Sequence, residues 1–312
     1  MQTNKVLIIG SGPAGYAAAI YSSRAGLRPL MISGIEPGGQ LMITTDVENY
    51  PGYENPIQGP WLMEQMKKQS EAFGTKIIND YVTDVDFSKF PFEINTEKEK
   101  YFSYSVIIAT GAKAKWLGVP GEDKFKGFGV SACATCDGFF FKNKNVVVVG
   151  GGNTAVEETI FLSNICKKVT LIHRRDKLRA EKILQNRLFE KKNVEVIWNN
   201  ELKEIIGENE NKLIKKIIIK NTKNFDENEI NLDGLFVAIG HKPATEIFLN
   251  KLEIDDDGYI LTKADSTKTN VDGVFAAGDV TDKIYRQAVT AAGMGCMGAL
   301  EAEKFLSKKK IS

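Results

Sequence analysis

Two glycine-rich turns, each between a buried strand and a helix, constrain the fold of this chain more than any other feature. Residues 10–15 read Gly-Ser-Gly-Pro-Ala-Gly after an apolar run at 6–9, and residues 150–155 read Gly-Gly-Gly-Asn-Thr-Ala after a predicted strand at 145–149 whose last four residues are valines. In such a unit the first glycine permits a tight turn, the second lets the backbone approach a pyrophosphate, and the third lets the helix pack on the strand. Two such units predict two dinucleotide sites, and two turns shaped only by packing are the alternative.

The elements around the two turns indicate an α/β fold of two Rossmann-like, three-layer domains. Each turn leads into a helix, predicted at 16–24 and 155–162, and then into a strand, predicted at 30–32 and 169–172. The last helix is predicted at 287–306.

Between the two units, residues 61–73 are predicted to form a helix and residues 76–108 to contain strands. The helix is expected to bury Trp61, Leu62, Met66 and Phe73.

The order of the elements predicts that one domain is inserted into the other. Residues 1–113 and 244–312 would form a discontinuous first domain, and residues 114–243 would form the second. The crossings at 113–119 and 240–246 contain turn residues and could act as hinges.

Basic residues near the end of the second strand of the inserted domain indicate which nucleotide it binds. His173, Arg174 and Arg175 stand there, and Arg179 follows. An NAD site usually places a carboxylate about 20 residues after the glycines, where it binds the ribose 2′-hydroxyl. Guanidinium groups match a 2′-phosphate instead. The pattern therefore favours NADP over NAD, and a solvated basic patch is the alternative.

The first domain offers a carboxylate, Glu36, shortly after its second strand, as a candidate ribose contact. If the inserted domain binds NADP, the first domain is expected to bind a second dinucleotide, FAD. Asp279, at the end of a late strand, is a candidate contact to the ribityl or phosphate region of the flavin.

Cys133 and Cys136 form a C-x-x-C pair, which is a candidate redox centre. In a cytosolic protein such a pair is more often catalytic or metal-binding than structural. Two intervening residues can bring the sulfurs into bonding range, and a helix N-terminus would lower a thiol pKa. Asp137 follows directly and is a suitable general acid beside the leaving sulfur.

A metal site is the alternative for this pair, and the number of possible ligands argues against it. A structural zinc needs four ligands, whereas the chain has only two further cysteines, Cys166 and Cys296, and two histidines, His173 and His241. The two cysteines are expected to be inert thiols, one in a helix-to-strand turn and one in the last helix. His173 belongs to the basic motif and His241 is expected in a turn, so no metal is predicted.

Composition argues against several other classes of protein. The 312 residues are 43% hydrophobic and 26% charged, with a formal net charge of +1, which gives no support for nucleic-acid or anionic-membrane binding. No apolar run approaches the ~20 residues of a membrane span, and the N-terminus lacks the layout of a signal peptide. A cytoplasmic protein is therefore expected.

These motifs together resemble the bacterial, low-molecular-weight thioredoxin reductases, within the pyridine nucleotide-disulfide oxidoreductases. The resemblance covers nearly the whole chain, and CATCDG joined to HRR is its most specific combination. The matching stretches are GSGPAGYAAAIYSSRAG, GGQL, ENYPG, IIATGA, CATCDGFF, GGGNTAVEE, LIHRRDKLRAEKIL, AIGHKP, FAAGDV and YRQAVTAAGMGCMGALEAE. The resemblance implies a flavoprotein oxidoreductase of cell redox homeostasis, with FAD and NADPH as cofactors and thioredoxin as its protein partner. It also implies a homodimer.

The resemblance further assigns roles to individual residues. FAD would be held by Gly10, Gly12, Pro13, Ala14, Gly15, Ser33, Glu36, Gly39, Gln40, Leu41, Asn49, Thr110, Ala112, Gly278, Asp279, Arg286, Gln287 and Ala288. NADPH would be held by Gly152, Asn153, Thr154, Glu157, His173, Arg174, Arg175 and Arg179. Cys136 would face the flavin, Cys133 would attack the disulfide of thioredoxin, and Asp137 would donate a proton.

The implied reaction carries electrons from NADPH through FAD to the disulfide of the cysteine pair. Cys133 would then attack thioredoxin and Cys136 would resolve the mixed disulfide. Because the cysteine pair lies in the inserted domain, a rotation of that domain about its two crossings is expected.

Three consecutive phenylalanines, Phe139, Phe140 and Phe141, follow the redox motif. Three neighbours cannot all point into one core face, so at least one could anchor a partner, and core packing with flavin contact is the alternative. Three other functions stay open: reduction of a different protein, such as a peroxiredoxin-linked or glutaredoxin-like partner, electron carriage with vestigial cysteines, and non-enzymatic nucleotide sensing or scaffolding.

Overall fold

A computed structural model describes residues 3–43, 46–208 and 213–311. The chain folds into two compact units, one formed by Met1–Lys113 with Lys242–Ser312 and the other by Ala114–His241. The second unit is thus inserted into the sequence of the first. The return boundary, between residues 241 and 242, lies two residues before the one predicted between 243 and 244.

Both units combine strands and helices. In chain order, the strands of the described residues are β1 (Thr3–Ile9), β2 (Leu30–Ile32), β3 (Asp46–Val47), β4 (Ile57–Gln58), β5 (Lys76–Ile78), β6 (Val82–Asp86), β7 (Phe92–Thr96), β8 (Lys100–Ile108), β9 (Ala112–Ala114), β10 (Val130–Ser131), β11 (Asn145–Gly150), β12 (Lys168–His173), β13 (Val194–Trp198), β14 (Asn200–Gly207), β15 (Ile214–Asn221), β16 (Glu227–Asn231), β17 (Gly234–Ala238), β18 (His241–Pro243) and β19 (Val274–Ala276). The α-helices are α1 (Pro13–Arg24), α2 (Gly59–Ala72), α3 (Glu122–Phe125), α4 (Ala134–Asp137), α5 (Asn153–Ser163), α6 (Lys182–Phe189) and α7 (Ala288–Lys308).

The helices and strands predicted around the two turns are confirmed, and both helices begin earlier than predicted. Gly12 and Gly152 are the N-caps of α1 and α5 and have extended backbones, so Pro13 and Asn153 are already helical. Proline suits this first position, because its fixed φ fits the helix and its missing N–H has no partner there.

The sheet of the first unit has the order β5-β2-β1-β8-β7-β6, and β19 also pairs with β8. The strands β5, β2, β1, β8 and β19 run parallel to one another, whereas β7 and β6 continue the sheet in antiparallel pairs. From β1 the chain builds the sheet outward on both sides. The carboxyl end of β1 is therefore a topological switch point, where open α/β sheets bind ligands.

Alternate side chains of β1 face two separate cores. Val6 and Ile8 pack with residues of α1, α2 and α7, whereas Leu7 and Ile9 pack in a second core on the other face. Because successive strand residues point to opposite faces, the sheet is the middle of three layers.

Helix α2 corrects two residues of the predicted core. Leu62 and Met66 are buried, as predicted, but Trp61 and Phe73 are each 45% exposed. Trp61 is one residue, and thus about 100° around the helix, from the buried Leu62. Its ring packs edge-on to Tyr53 instead. Phe73 is the C-cap, beyond the last helical turn.

The sheet of the second unit is wholly parallel, with the order β10-β17-β11-β12-β13. A separate antiparallel sheet has the order β14-β15-β16. Val146 and Val148 of β11 pack with α5 and α6, whereas Val147 and Val149 pack against the antiparallel sheet. The switch point lies at the end of β11, where the second glycine turn begins. The predicted fold class, with two Rossmann-like units, is confirmed.

The strands β9 and β18, which contain the two boundaries between the units, form a two-stranded sheet. His241 therefore belongs to a strand, and its predicted place in a turn was wrong. Next to this sheet, Thr110 Oγ1 donates a hydrogen bond to the Ala244 carbonyl at 2.8 Å.

Candidate functional site

The first glycine turn contains one glycine that packing within the chain does not explain. A Cβ on Gly10 would lie 2.3 Å from the Ala109 carbonyl oxygen, and a Cβ on Gly15 would lie 2.1 Å from the Gly10 carbonyl oxygen. These two glycines are needed for the turn and for the contact of α1 with the sheet. Gly12, by contrast, has an ordinary φ of −75° and no atom within 4 Å of such a Cβ.

The second glycine turn repeats this arrangement. A Cβ on Gly150 would lie 2.4 Å from the Ala238 carbonyl oxygen, whereas a Cβ on Gly152 would meet nothing within 4 Å. Gly152 also has an ordinary φ of −91°. Both middle glycines therefore leave space at the N-terminus of a long helix, which is where a pyrophosphate binds. The two turns fit dinucleotides in a way that turns shaped only by packing would not require.

The predicted FAD residues outside the first turn lie in segments that follow strands β2, β8 and β19 or that lead into helix α7. Ser33 and Glu36 follow β2, and Gly39, Gln40 and Leu41 lie in a 3-10 helix. Thr110 and Ala112 follow β8, Gly278 and Asp279 follow β19, Arg286 and Gln287 precede α7, and Ala288 begins it. Asn49 donates a hydrogen bond to Gln287 Oε1 at 3.4 Å.

Hydrogen bonds and close contacts bring several of these segments onto the turn. Ser11 Oγ donates to the Ser33 carbonyl at 2.8 Å and accepts from Gly38 N at 3.1 Å. A Cβ on Gly39 would lie 3.6 Å from Gly12 Cα. Sequence reasoning missed Ser11, because the motif leaves its position unrestricted.

Two of the predicted FAD side chains have partners within the chain. Glu36 forms an ion pair of 2.8 Å with Lys113, and both side chains are exposed. An exposed pair of this kind is weak and can exchange for a ligand hydroxyl. Thr110 donates its hydroxyl proton to the Ala244 carbonyl, so its side chain could only accept a hydrogen bond from a flavin.

A cavity of about 380 Å³ opens beside the predicted ribose contact. It lies at the ends of β2 and β5. Its lining residues are Gly34, Ile35, Pro37, Asn79, Asp80, Tyr81, Glu97 and Lys98. Sequence reasoning missed residues 79–81 and 97–98, because only the pairing of β5 with β2 brings the first of these segments to the turn.

Asp279 has a strongly perturbed carboxyl group at the end of β19. Burial raises its pKa to about 7, the Asp282 carboxylate adds to the shift, and the Arg286 guanidinium opposes it. A carboxyl group held in this way at the end of β19 can donate a hydrogen bond to a ligand oxygen when protonated.

The basic residues of the second unit form one exposed loop after β12. Arg174, Arg175 and Arg179 are all exposed. The backbone of the loop is held by neighbouring segments. Arg179 N donates to the Gly151 carbonyl at 2.7 Å, and Thr222 Oγ1 donates to the Arg174 carbonyl at 3.2 Å. The backbone of this three-arginine loop is thus bonded to the second glycine turn at Arg179.

Other predicted NADP residues lie at the start of α5. Asn153 Oδ1 accepts a hydrogen bond from Glu181 N at 2.8 Å, which joins α5 to the segment before α6. Thr154 is half-buried and Glu157 is exposed, both within the first two turns of α5. Gly152, Asn153, Thr154 and Glu157 are therefore close to the open space at the second turn.

His173 differs from its basic neighbours because its ring is buried, with 5% of the residue exposed. Nδ1 lies 2.9 Å from the Gly150 carbonyl oxygen, and Nε2 lies 2.9 Å from the Lys177 carbonyl oxygen. Burial lowers the pKa of His173, although its bonds to the two carbonyls oppose the shift. The two contacts hold the ring between the end of β11 and the loop after β12.

Cys133 and Cys136 form a disulfide, with an S–S distance of 2.10 Å and Cα atoms 5.3 Å apart. Cys133 is the N-cap of the short helix α4, and Cys136 lies within it. Both residues are half-buried. The disulfide is thus part of the second unit, and thiol–disulfide exchange is the chemistry that it supports.

Asp137 lies beside the disulfide with a perturbed pKa. Burial raises the pKa of its carboxyl group, and a hydrogen bond with the Ser131 side chain opposes the shift. Ser131 Oγ also accepts a hydrogen bond from Cys133 N at 3.0 Å. A carboxyl group that keeps its proton to higher pH suits a general acid. Sequence reasoning missed Ser131, because it lies in the strand before the C-x-x-C pair.

The three phenylalanines after the disulfide separate into two environments. Phe141 is 9% exposed and packs edge-on against Phe236, with ring centroids 5.5 Å apart. Phe139 is 59% exposed and Phe140 is 36% exposed. Phe141 is therefore a core residue, and the other two rings are available to a partner.

The remaining cysteines lie where the sequence places them. Cys166 is a free, buried thiol between α5 and β12, and burial raises its pKa to about 11. Cys296 is a free, half-buried thiol in α7. Among the described residues, no group of three or more His, Cys, Asp or Glu side chains could hold a metal ion. Within the same residues, no helix has the length and apolar character needed to cross a membrane.

The family model for pyridine nucleotide-disulphide oxidoreductases matches residues 4–295 of the chain. The chain therefore belongs to the pyridine nucleotide-disulphide oxidoreductase family. Within that family it is similar over its full length to proteins named thioredoxin reductase.

Two bacterial relatives and one solved structure illustrate this similarity. The thioredoxin reductase of Rickettsia conorii is 60% identical over 98% of this chain and 99% of its own length. That of Rickettsia bellii is 61% identical over the same shares. The solved structure of thioredoxin reductase from Giardia duodenalis is 43% identical, with a TM-score of 0.93 over 98% of this chain and 100% of that chain.

Proposed function

We propose that this chain is an NADPH-dependent thioredoxin-disulfide reductase that holds FAD in its first unit and NADPH in its second. The observation that carries the proposal is the Cys133–Cys136 disulfide beside the carboxyl group of Asp137, in a unit that also contains a glycine turn. The full-length relatives named thioredoxin reductase support thioredoxin as the substrate.

The assignment of NADPH to the second unit rests on charge. Three exposed arginines beside the second turn match a 2′-phosphate, and Asp176, the carboxylate that lies among them, forms an ion pair with Lys223 at 4.0 Å. The assignment of FAD to the first unit rests on Glu36, on the space at Gly12 and on the cavity next to Glu36. When bound, FAD would pass the electron pair of NADPH to the disulfide.

The residues of the chain would perform the exchange in two steps. After reduction, the Cys133 thiolate would attack one sulfur of the substrate disulfide and expel the other sulfur, which takes up a proton. The Cys136 thiolate would then attack Cys133 Sγ, release the second substrate sulfur and restore the Cys133–Cys136 disulfide. In the earlier step, when reduction breaks the Cys133–Cys136 bond, one sulfur of the pair leaves as a thiolate. Asp137 would hold the proton that this sulfur takes up. The division of roles between the cysteines follows from the family resemblance.

An insulin-coupled assay with NADPH and the cognate thioredoxin tests the proposal. The purified protein should be yellow, NADPH should bleach it, and insulin reduction should require thioredoxin. Cys136→Ser should abolish disulfide reduction and keep the reduction of a small dye that takes electrons from the flavin. The matched control is Cys296→Ser, which changes a free thiol in α7 and should keep both activities.

Each alternative function predicts a different result in these assays. Faster reduction of another protein disulfide than of thioredoxin would contradict the choice of substrate. Undiminished disulfide reduction by Cys136→Ser would support a vestigial cysteine pair. A colourless protein that NADPH does not change would support a sensor or scaffold.

The cellular setting also belongs to the proposal. A homodimer follows from the family resemblance, and size-exclusion chromatography should then give twice the mass of the chain. A cytoplasmic location is expected from the sequence pattern of the N-terminus and of the apolar runs, and cell fractionation tests it.

A further inference from the structure

We propose that three lysines beside the redox disulfide, Lys142, Lys144 and Lys167, form a basic rim that favours an acidic protein partner. The inference deepens the proposed function and rests on it, because the rim has a role only if Cys133 attacks a protein disulfide. The partner that fits is a protein with carboxylates around its own redox disulfide.

The basic rim begins within reach of a partner that binds at the disulfide. From Cys136, helix α4 and the 3-10 helix Gly138–Phe141 lead directly to Lys142. Because the rise is at most about 2 Å per helical residue, the Cα atoms of Cys136 and Lys142 are no more than about 14 Å apart. A protein partner commonly covers about 800 Å² of each surface, which is a patch of about 16 Å radius. A partner centred on the disulfide would therefore cover Lys142.

Backbone hydrogen bonds join the other two lysines to the same surface. Lys167 N donates to the Lys144 carbonyl at 2.9 Å, and Asn143 N donates to the Ile165 carbonyl at 2.9 Å. These bonds hold the turn before β11 against the turn before β12. Lys142, Lys144 and Lys167 are all exposed, so the three side chains belong to one accessible surface.

Two of the ammonium groups lie over aromatic rings that follow the disulfide. Lys142 Nζ lies 5.6 Å from the centre of the Phe139 ring, and Lys144 Nζ lies 5.7 Å from the centre of the Phe141 ring. Phe139 is 59% exposed. Protein interfaces combine apolar residues at the centre with polar and charged residues at the edge. Phe139 and Lys142 together have this arrangement.

The positive charge of the basic rim is not neutralised within the described part of the chain. Residues 138–145 and 164–168 contain four lysines and no acidic residue. Of these four, only Lys168 forms an ion pair among the described residues, with Glu195 at 2.6 Å. One further carboxylate, Asp233, accepts a hydrogen bond from the backbone at the start of β11 and offsets one of the three remaining charges. The basic rim therefore keeps a net positive charge that carboxylates of a partner can meet.

Charges at the edge of an interface mainly change the association rate and its salt dependence. Two opposite unit charges about 10 Å apart in water attract by an amount that corresponds to about a twofold change in an equilibrium constant. Three such pairs correspond to about eightfold. Salt removes this attraction, because the Debye length falls from about 30 Å at 0.01 M to about 3 Å at 1 M.

Thioredoxin-dependent insulin reduction by the holoenzyme, at saturating NADPH and at about 0.01 M and about 0.5 M salt, tests the basic rim. For Lys142→Gln, Lys144→Gln and Lys167→Gln combined, we expect the KM for thioredoxin to rise about four- to eightfold at low salt and less than about twofold at high salt. The KM of the unaltered protein should itself rise about four- to eightfold between the two salt concentrations. The rate of dye reduction should be unchanged, because the flavin and the disulfide are untouched.

The matched control removes three lysine charges from the other unit. Lys304→Gln, Lys308→Gln and Lys310→Gln change exposed lysines in and after helix α7 and give the same net charge. The KM for thioredoxin should then stay within about twofold of the unaltered protein at both salt concentrations.

A single charge reversal replaces the triple variant if that variant does not fold. Lys167→Glu exchanges an attraction for a repulsion at one exposed position. It should raise the KM for thioredoxin about fourfold at low salt.

Several results would overturn the role given to the basic rim. An unchanged KM in the rim variants at low salt is one, and an equal rise at both salt concentrations is another, since lost packing would explain it. An equal rise in the control would show that only the net charge of the chain matters. A salt-independent KM in an unaltered protein that reduces thioredoxin would contradict the basic rim alone. If the unaltered protein reduced no thioredoxin, the proposed function would fall first, and the basic rim with it.

Discussion

The middle glycine of each turn offers a sharp test of whether a nucleotide explains its presence. Gly152→Ala adds a methyl group where the structure has no atom within 4 Å. Gly150→Ala, two residues earlier, adds the same methyl group 2.4 Å from the Ala238 carbonyl oxygen. The two variants therefore form a matched pair that differs in what the methyl group meets.

The expected effects on stability follow from these distances. At Gly152 the φ of −91° suits alanine, so restriction of the unfolded chain stabilises the protein by about 0.4–1 kcal/mol, and the loss of glycine at the N-cap of α5 costs a similar amount. At Gly150 the methyl group overpacks the turn, which destabilises a fold by about 1–3 kcal/mol. At about 2–4 °C per kcal/mol, Gly152→Ala should keep or slightly raise the Tm. Gly150→Ala should lower it by about 2–12 °C.

Gly152→Ala should weaken nucleotide binding, although it should not destabilise the fold. Its methyl group would stand where the pyrophosphate approaches the backbone, so the nucleotide would lose backbone hydrogen bonds worth about 1.4–2.8 kcal/mol. That loss raises the KM for NADPH about 10- to 100-fold. The flavin content should be unchanged, because FAD is assigned to the first unit.

Thermal unfolding without added nucleotide and steady-state dye reduction measure both effects. The reasoning would be refuted if Gly152→Ala lowered the Tm as much as Gly150→Ala does. It would equally be refuted if Gly152→Ala folded normally and kept its KM for NADPH.

Four further predictions concern the redox centre and the flavin site. Phe139→Ala with Phe140→Ala should raise the KM for thioredoxin without changing dye reduction. Phe141→Ala should instead lower stability by about 3–5 kcal/mol in denaturant unfolding, since Phe141 is buried. Asp137→Asn should slow insulin reduction about tenfold or more and leave the rate of dye reduction unchanged. The proton role would be contradicted if the variant matched the unaltered protein in insulin reduction as well as in dye reduction. Burial raises the pKa of Asp279 from 3.8 to about 7, so the folded form keeps a proton that the unfolded chain loses. The free energy of unfolding of the flavin-free protein should therefore fall as the pH rises from about 4 to about 7. Asp279→Asn should remove this pH dependence in chemical unfolding.

The sequence predicts the two turns well because their geometry is local. Gly10, Gly15 and Gly150 are required by contacts a few ångströms away, and the apolar runs before them can only be buried strands. The helix α2 was harder, since Trp61 is as apolar as Leu62 and only the direction of its side chain decides which is buried. Ser131 could not be predicted, because its contact with Asp137 depends on how β10 ends.

The two units also show why a shared motif does not predict how a site is held together. Both turns must be tied to the loop after the second strand, since that loop carries the groups that would select the nucleotide. Ser11 provides the tie in the first unit, from within the motif. His173 provides it in the second, from outside the motif, and this requires residue 151 to be glycine. Neither residue can be exchanged alone, because a side chain at residue 151 meets the ring and the loss of the ring removes a contact between the turn and the loop. Residues 151 and 173 therefore have to change together. The register of β1 with β2 and of β11 with β12 shows that Ser11 corresponds to Gly151 and Ser33 to His173, which a comparison of single positions would miss.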